Sequence, residues 1–222
     1  MKTYDMKAYV MKKYIMKKFV ARLSIVAFMV MMFSSLSAAT SYTVDDVMNK
    51  TTATIKGNGA KSIAFSVSGS HAMSGRLIVY GKKFALSAGK SKSWYDGSSL
   101  TTYNPSTNEV TVVTPSASEL TEANPLSYIS LWKSQFKAAF SSKKISGSYV
   151  VVLTPKSSSS QVKKALLTVS KNNFCPQKLV VSMKSGGNFT VTVKSISSTP
   201  ASASTFRFPK SQYKSAEIID LR

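Results

Sequence analysis

Gly75-Arg-Leu-Ile-Val-Tyr80, Gly81-Lys82-Lys83, Phe84-Ala-Leu-Ser-Ala88, Ser93-Trp-Tyr95, Asp96-Gly97, Leu100-Thr-Thr-Tyr103, Asn104-Pro105 and Glu109-Val-Thr-Val-Val113 follow one another with little between them. Leu77 and Val79 stand two residues apart, as do Phe84 and Leu86 and then Val110 and Val112. That spacing puts one face of a strand against a core. The interruptions are Gly-Lys-Lys, Asp-Gly and Asn-Pro, residues that make tight turns. Short strands joined in this way read as antiparallel hairpins.

The same period extends on both sides. Upstream, Ile63, Phe65 and Val67 alternate with small or polar residues in Ser62–Ser68. Downstream, the sequence predicts strands at Tyr149–Leu153, Lys164–Val169, Lys178–Lys184 and Asn188–Lys194, and a short last one at Thr205–Phe208 before Pro209. Two stretches have helical spacing instead. Thr43 is placed to cap a helix through Ile55, with Asp45 and Asp46 at its positive end and Val44, Val47, Met48, Thr51 and Ile55 on one face. Ser118–Glu122 reads as the start of a short helix. In Pro125–Phe140, the residues Leu126, Ile129, Trp132, Phe136 and Phe140 recur every three or four positions, which predicts an amphipathic helix with an aromatic face. The expected fold is therefore α+β: a strongly curved antiparallel β-sheet, as an open barrel or a sandwich, with helices on one face. The helix inserted in mid-sheet must bury its aromatic face, and the concave side of the sheet is the place available.

The N-terminus has a different character. Seven basic residues up to Arg22 precede the apolar run Leu23–Phe33, and Ser37-Ala38-Ala39 supplies small residues for cleavage. This is the pattern of a secretory signal peptide over residues 1–39, removed between Ala39 and Thr40. The run is too short to span a bilayer as a helix. Met6, Met11 and Met16, each followed by Lys, are further candidate starts. Residues 40–222 then form a single exported domain.

The chain carries 30 Lys and Arg against 9 Asp and Glu, a net charge of +21. Residues 40–222 keep 23 basic against 8 acidic residues, or +15. Such a charge favours acidic surfaces. Nucleic acid is not expected, because the chain is exported and its lysines are dispersed. No enzyme is expected either. There is one His, His71, and one Cys, Cys175, and the acids are scattered, so no nucleophile, base and orienter assemble. No metal-ligand spacing or phosphate loop appears, and neither metal nor cofactor is expected. Cys175, between Phe174 and Pro176, reads as a core residue.

Several blocks, in order, resemble the LolA family of outer-membrane lipoprotein carriers. Gly75-Arg-Leu-Ile-Val-Tyr80 with Phe84 is similar to the family's Gly-x-Leu-x-Val…Phe hairpin. Asp96-Gly97-Ser-Ser-Leu100-Thr-Thr-Tyr103-Asn104-Pro105 is similar to its Asp-Gly-x-x-Leu-x-x-Tyr-Asp/Asn-Pro pattern. Asn124-Pro125-Leu126, Leu153-Thr-Pro-Lys156 and Phe206-Arg-Phe208-Pro209 follow in place. The resemblance implies an incomplete β-barrel with a helical lid on its concave face. It also implies a periplasmic carrier whose partners are acylated lipoproteins, an inner-membrane ABC transporter and an outer-membrane acceptor. The family commonly has Arg-Pro in the hairpin before the Phe, and that Arg helps to hold the lid. Here Gly81 and Lys82 stand there, so Lys82 or Lys83 would have to make the lid contact with a point charge.

Acyl chains exposed to water are costly, at about 0.8 kcal/mol per methylene. A carrier must hide them among apolar side chains. The candidate lining is Phe65, Leu77, Val79, Phe84, Leu86, Val110, Val112, Leu166, Val181 and Met183, with Ile129, Trp132 and Phe136 from the lid. The same residues also suit a dry core. Two alternatives therefore stand beside the lipoprotein carrier: a periplasmic binder of another lipid or hydrophobic ligand, and a ligand-free secreted structural β-domain. A monomer is expected. With no Cys near Ala39 to take a lipid, the processed chain is expected to be released rather than tethered.

Overall fold

The computed structural model describes residues 41–69, 72–124 and 126–222. The segment expected to be a signal peptide, its expected cleavage point and His71 lie outside the described residues. Residues 42–222 form one compact unit.

The first element, α1 (Val44–Lys56), starts where a cap is available. The Thr43 hydroxyl accepts from the Asp46 N–H at 3.1 Å, and the Asp46 carboxylate accepts from the Thr43 N–H at 3.0 Å. Both bonds satisfy donors that the first turn leaves open. The Thr43 hydroxyl also donates to the Asp46 carboxylate at 2.6 Å, and this bond, followed by the one from the Thr43 N–H, holds the Asp46 carboxyl below its usual range. Val47, Met48, Thr51 and Ile55 face the core. Gly57 ends the helix, its N–H donating to the Ala53 carbonyl.

Six hairpin-linked strands follow: β1 (Lys61–Ser68), β2 (Met73–Tyr80), β3 (Lys83–Ala88), β4 (Ser91–Tyr95), β5 (Leu100–Asn104) and β6 (Glu109–Val113). After an interruption come β7 (Phe136–Phe140), β8 (Ser148–Pro155), β9 (Val162–Ser170), β10 (Pro176–Met183) and β11 (Asn188–Ser198), and near the C-terminus β12 (Glu217–Asp220). All twelve belong to one sheet, ordered β12-β6-β5-β4-β3-β2-β1-β11-β10-β9-β8-β7. The sheet is open and strongly curved. Every neighbouring pair is antiparallel except β6 and β12, which run parallel.

The turn chemistry matches the sequence. Asp96 accepts from the N–H groups of Ser98 and Ser99, both at 2.9 Å, and Gly97 sits at φ +105°. The Ser99 N–H does most to hold the Asp96 carboxyl below its usual range, and Ser98 adds to it.

Three expectations change. The helix expected over Pro125–Phe140 is broken. The described residues there form α2 (Ala117–Ala123), α3 (Ser127–Ser130) and α4 (Trp132–Gln135), and the chain then turns into β7 at Phe136. Leu131, at φ −106° and ψ 12°, separates the two short turns. Strand β7 pairs with β8, Ala138 opposite Leu153, so Phe136, Ala138 and Phe140 follow period two. The strand expected at Thr205–Phe208 is instead a 3₁₀ turn over Ala203–Phe206. Cys175 is half-buried in the β9–β10 connection rather than in the core, beside Phe174 at φ +56°.

The helices cover one face of the sheet. Leu126, Tyr128, Ile129 and Trp132 join Ile63, Phe65, Leu77, Phe84, Leu167, Leu179 and Val191 in one buried cluster. The opposite face carries a smaller cluster at the β4–β5 side. There Trp94 packs on Phe208 at 5.4 Å and on Tyr213 at 5.8 Å, and Tyr103 packs on Tyr213 at 4.5 Å between ring centroids.

Candidate functional site

Beneath α2, the concave face is not fully packed. An apolar cavity of about 290 Å³ is lined by Phe65, Val67, Met73, Leu86, Ala88 and Phe189 from the sheet, with Thr121, Ala123, Tyr128 and Met183. A second, more polar cavity of about 420 Å³ lies beside it, lined by Ala117, Gln135, Phe136 and the Ser157–Val162 loop. Thr121, Tyr128 and Met183 border both. These three side chains form the partition. Tyr128 is held against Phe136 at 5.6 Å and Phe189 at 6.4 Å between centroids. Met183 is half-buried, and an unbranched thioether re-packs easily.

Gly75 shapes the apolar cavity. It lies opposite Phe65 in the β1–β2 ladder, and the ring lies over it. A Cβ at position 75 would come 2.4 Å from Phe65 Cζ and 2.8 Å from the Ser87 carbonyl oxygen. Glycine at this position leaves room for the tip of the ring.

The expected lining residues fall into three sets. Phe65, Leu86 and Met183 line the apolar cavity, and Phe136 lines the polar one. Leu77, Val79, Phe84, Ile129, Trp132 and Val181 sit in the packed cluster around them. Leu166, Val110 and Val112 are on the other face of the sheet. In β9 the core side chains are Ala165, Leu167 and Val169, so Leu166 points outward by alternation. In β6 it is Val113, opposite Leu100, that packs on the core. Val110 is buried on the opposite face, next to Tyr103 in the ladder.

Val67, Met73, Ala88, Tyr128 and Phe189 were not in the expected lining. Val67, Met73 and Ala88 share strand face and period with Phe65, Leu77 and Leu86, so that signal was there to follow. The Ser157–Ser160 stretch reads as a plain loop tip, yet it forms a wall of the polar cavity.

The lid is held from α1 and from the end of β8. Thr52 Oγ1 donates to the Ile129 carbonyl at 3.1 Å, and Lys56 Nζ to the Ser130 carbonyl at 3.4 Å. The Lys156 ammonium donates to the Lys133 carbonyl. Burial pushes the Lys56 ammonium below its usual range, and the charge of Lys82 adds to this. Lys82 is exposed at the β2–β3 turn and Lys83 is half-buried at the start of β3.

A buried cluster, a helical cover and an apolar cavity are thus brought together on one face of the sheet. A family model described as outer membrane lipoprotein carrier protein LolA matches residues 34–187. The chain belongs to the LolA family. A comparison with curated proteins gives no match. Among solved structures, an uncharacterized conserved protein from Thermus thermophilus is similar, with a TM-score of 0.56 and 10% identity over 79% of this chain and 98% of that one. A LolA superfamily protein from Nitrosomonas europaea aligns with a TM-score of 0.45 and 12% identity, over 76% of this chain and 99% of that one. At such identity the Thermus likeness is one of fold. Among the described residues no helix is long and apolar enough to cross a membrane, and no three His, Cys, Asp or Glu side chains group to hold a metal.

Proposed function

We propose that residues 40–222 form a periplasmic carrier that shelters the acyl chains of lipoproteins between the inner and outer membranes, after removal of a signal peptide at residues 1–39. It makes and breaks no bond. The observation that carries this reading is the apolar cavity beneath the lid in a chain of the LolA family. An inner-membrane ABC transporter would load it and an outer-membrane acceptor would unload it, by the resemblance already described.

The cavity's size sets its capacity. Taking a methylene as about 30 Å³, the volume share of a water molecule, the 290 Å³ space admits roughly ten methylenes. At about 0.8 kcal/mol each, these give roughly 8 kcal/mol of gross transfer energy. A longer chain needs the second cavity, and therefore a shift of Tyr128 or Met183. The small cavity and the absence of the hairpin Arg-Pro also favour a second reading, in which the ligand is another, single-chain lipid.

A diazirine-bearing amino acid close to methionine in size, placed at Met73 on the wall of the apolar cavity, separates the two readings in cells. Crosslinks to acylated lipoproteins are the expected result. Crosslinks to free lipid alone would assign the second reading, and no crosslink at Met73 would refute both.

A further inference from the structure

Acidic residues are scarce on the sheet: among its strands only β6 and β12 carry them, at Glu109, Glu217 and Asp220. From residue 123 to residue 216 the sequence contains no Asp or Glu, but thirteen lysines and one arginine. This stretch supplies β7 to β11, which are consecutive in the sheet. These five strands are acid-free, as are β1 to β5, so what distinguishes this half is the arrangement on its outer face.

Its outer face, away from the lid, has a defined pattern. Ala139 pairs with Val152, Val152 with Leu166, and Leu166 with Val180, so four aliphatic side chains form one row across β7, β8, β9 and β10. Ala139 is exposed and the other three are half-exposed. Lys137 on β7 and Lys164 on β9 lie on the same outer face two positions before Ala139 and Leu166, and Lys178 on β10 lies two before Val180. All three lysines are exposed. The connection between β7 and β8 continues the pattern. It presents Lys143-Lys144-Ile145, with Ile145 39% exposed.

We propose that this face docks on the surface of a bilayer containing anionic phospholipids, with Lys137, Lys164 and Lys178 over the headgroups and the Ile145 tip at the interface. An aliphatic row with a lysine rim and no acid is complementary to a negatively charged, partly apolar plane. The choice of lysine over arginine argues for a lipid surface rather than an acidic protein. Lysine is a point charge suited to a diffuse field, whereas arginine gives the forked contact that fixed carboxylates reward. The face lies opposite the cavity, so docking there leaves the lid free. The proposal does not depend on which ligand the cavity holds.

Co-sedimentation with vesicles tests it. The full chain is used throughout, so residues 1–40 contribute equally to every sample. Phosphatidylcholine vesicles with about 30% phosphatidylglycerol, enough to give a negative surface potential, are compared with pure phosphatidylcholine. Two triple variants are compared, Lys137→Gln/Lys164→Gln/Lys178→Gln and, on the other half of the sheet, Lys90→Gln/Lys92→Gln/Lys214→Gln. At roughly fivefold per lysine brought near an anionic surface, halved in exponent for partial contact, the first triple is expected to bind about 12-fold more weakly and the second within about threefold of the parent. Thermal melts confirm that both are folded. Absence of binding, equal binding to both vesicle types, or equal losses from the two triples would each overturn the proposal. Capture of an acidic protein on this face without vesicle binding would overturn it as well.

Discussion

Alanine at position 75 adds a single methyl group, yet the structure gives it a large effect. The new Cβ would stand 2.4 Å from Phe65 Cζ and 2.8 Å from the Ser87 carbonyl oxygen. The carbonyl belongs to the β2–β3 ladder and cannot retreat without loss of pairing. The ring can move, but only from its place on the sheet into the apolar cavity. Overpacking of this kind costs about 1–3 kcal/mol. For a domain of this size each kcal/mol lowers Tm by about 2–4 °C, so Gly75→Ala should melt several degrees below the parent. The displaced ring should also weaken binding of a fluorescent fatty acid. A second change isolates the cause. Phe65→Leu shortens the offending side chain and costs about 1 kcal/mol alone by leaving a void. In the Gly75→Ala/Phe65→Leu double variant the clash is gone, so the two changes should couple favourably by about 1 kcal/mol or more. A Gly75→Ala protein with the parent's Tm and the parent's affinity for the fatty acid would refute the reasoning.

Three other outcomes follow from the same structure. Thr43→Ala removes the α1 capping box and should cost about 1 kcal/mol in a denaturant titration, with faster hydrogen exchange in the first turn of the helix. Asp96→Asn keeps the turn's shape but weakens its bonds to the Ser98 and Ser99 N–H groups; because the folded carboxyl titrates below its unfolded value of about 3.9, the parent's advantage should be full above that pH and vanish as pH falls through the folded value, as read from melts between pH 2 and pH 7. Met183→Ala thins the partition between the cavities, so a sixteen-carbon fatty acid should gain affinity over a ten-carbon one by roughly tenfold if two further methylenes become buried.

The hairpins were legible because their turns and periods agree. Asp96-Gly97 carries its own bonds to the backbone, and Leu77, Val79, Phe84 and Leu86 alternate without ambiguity. Where two periods fit the same residues, the sequence alone misleads. Phe136 and Phe140 are four apart, as on a helix, but with Ala138 they are also two apart, and pairing with β8 selects the strand. Leu166 and Leu167 are adjacent, so either could face inward, and a shift of one residue exchanges the faces. Position was the missing information there, as it was for Val110, Val112 and Val113 in β6. The parallel pairing of Glu217–Asp220 with β6 joins residues more than a hundred positions apart, and no local pattern announces it. The cavity was least legible of all. Alternation identifies the residues that share a face, while the packing of α2 and α3 over that face decides which of them are left uncovered.

The central claim is that the space beneath the lid takes acyl chains, and filling that space tests it most directly. Ala88 lines the apolar cavity without occupying it. Binding of a diacylated lipopeptide, and of the same peptide without its acyl chains, is measured by calorimetry for the parent and for Ala88→Trp. The parent should bind the acylated peptide alone, and the tryptophan variant, folded by its melting curve, should bind it at least about tenfold more weakly, a loss of ~1.4 kcal/mol. Equal binding of the acylated peptide by the two proteins, or equal binding of the peptide without its chains, would contradict the account.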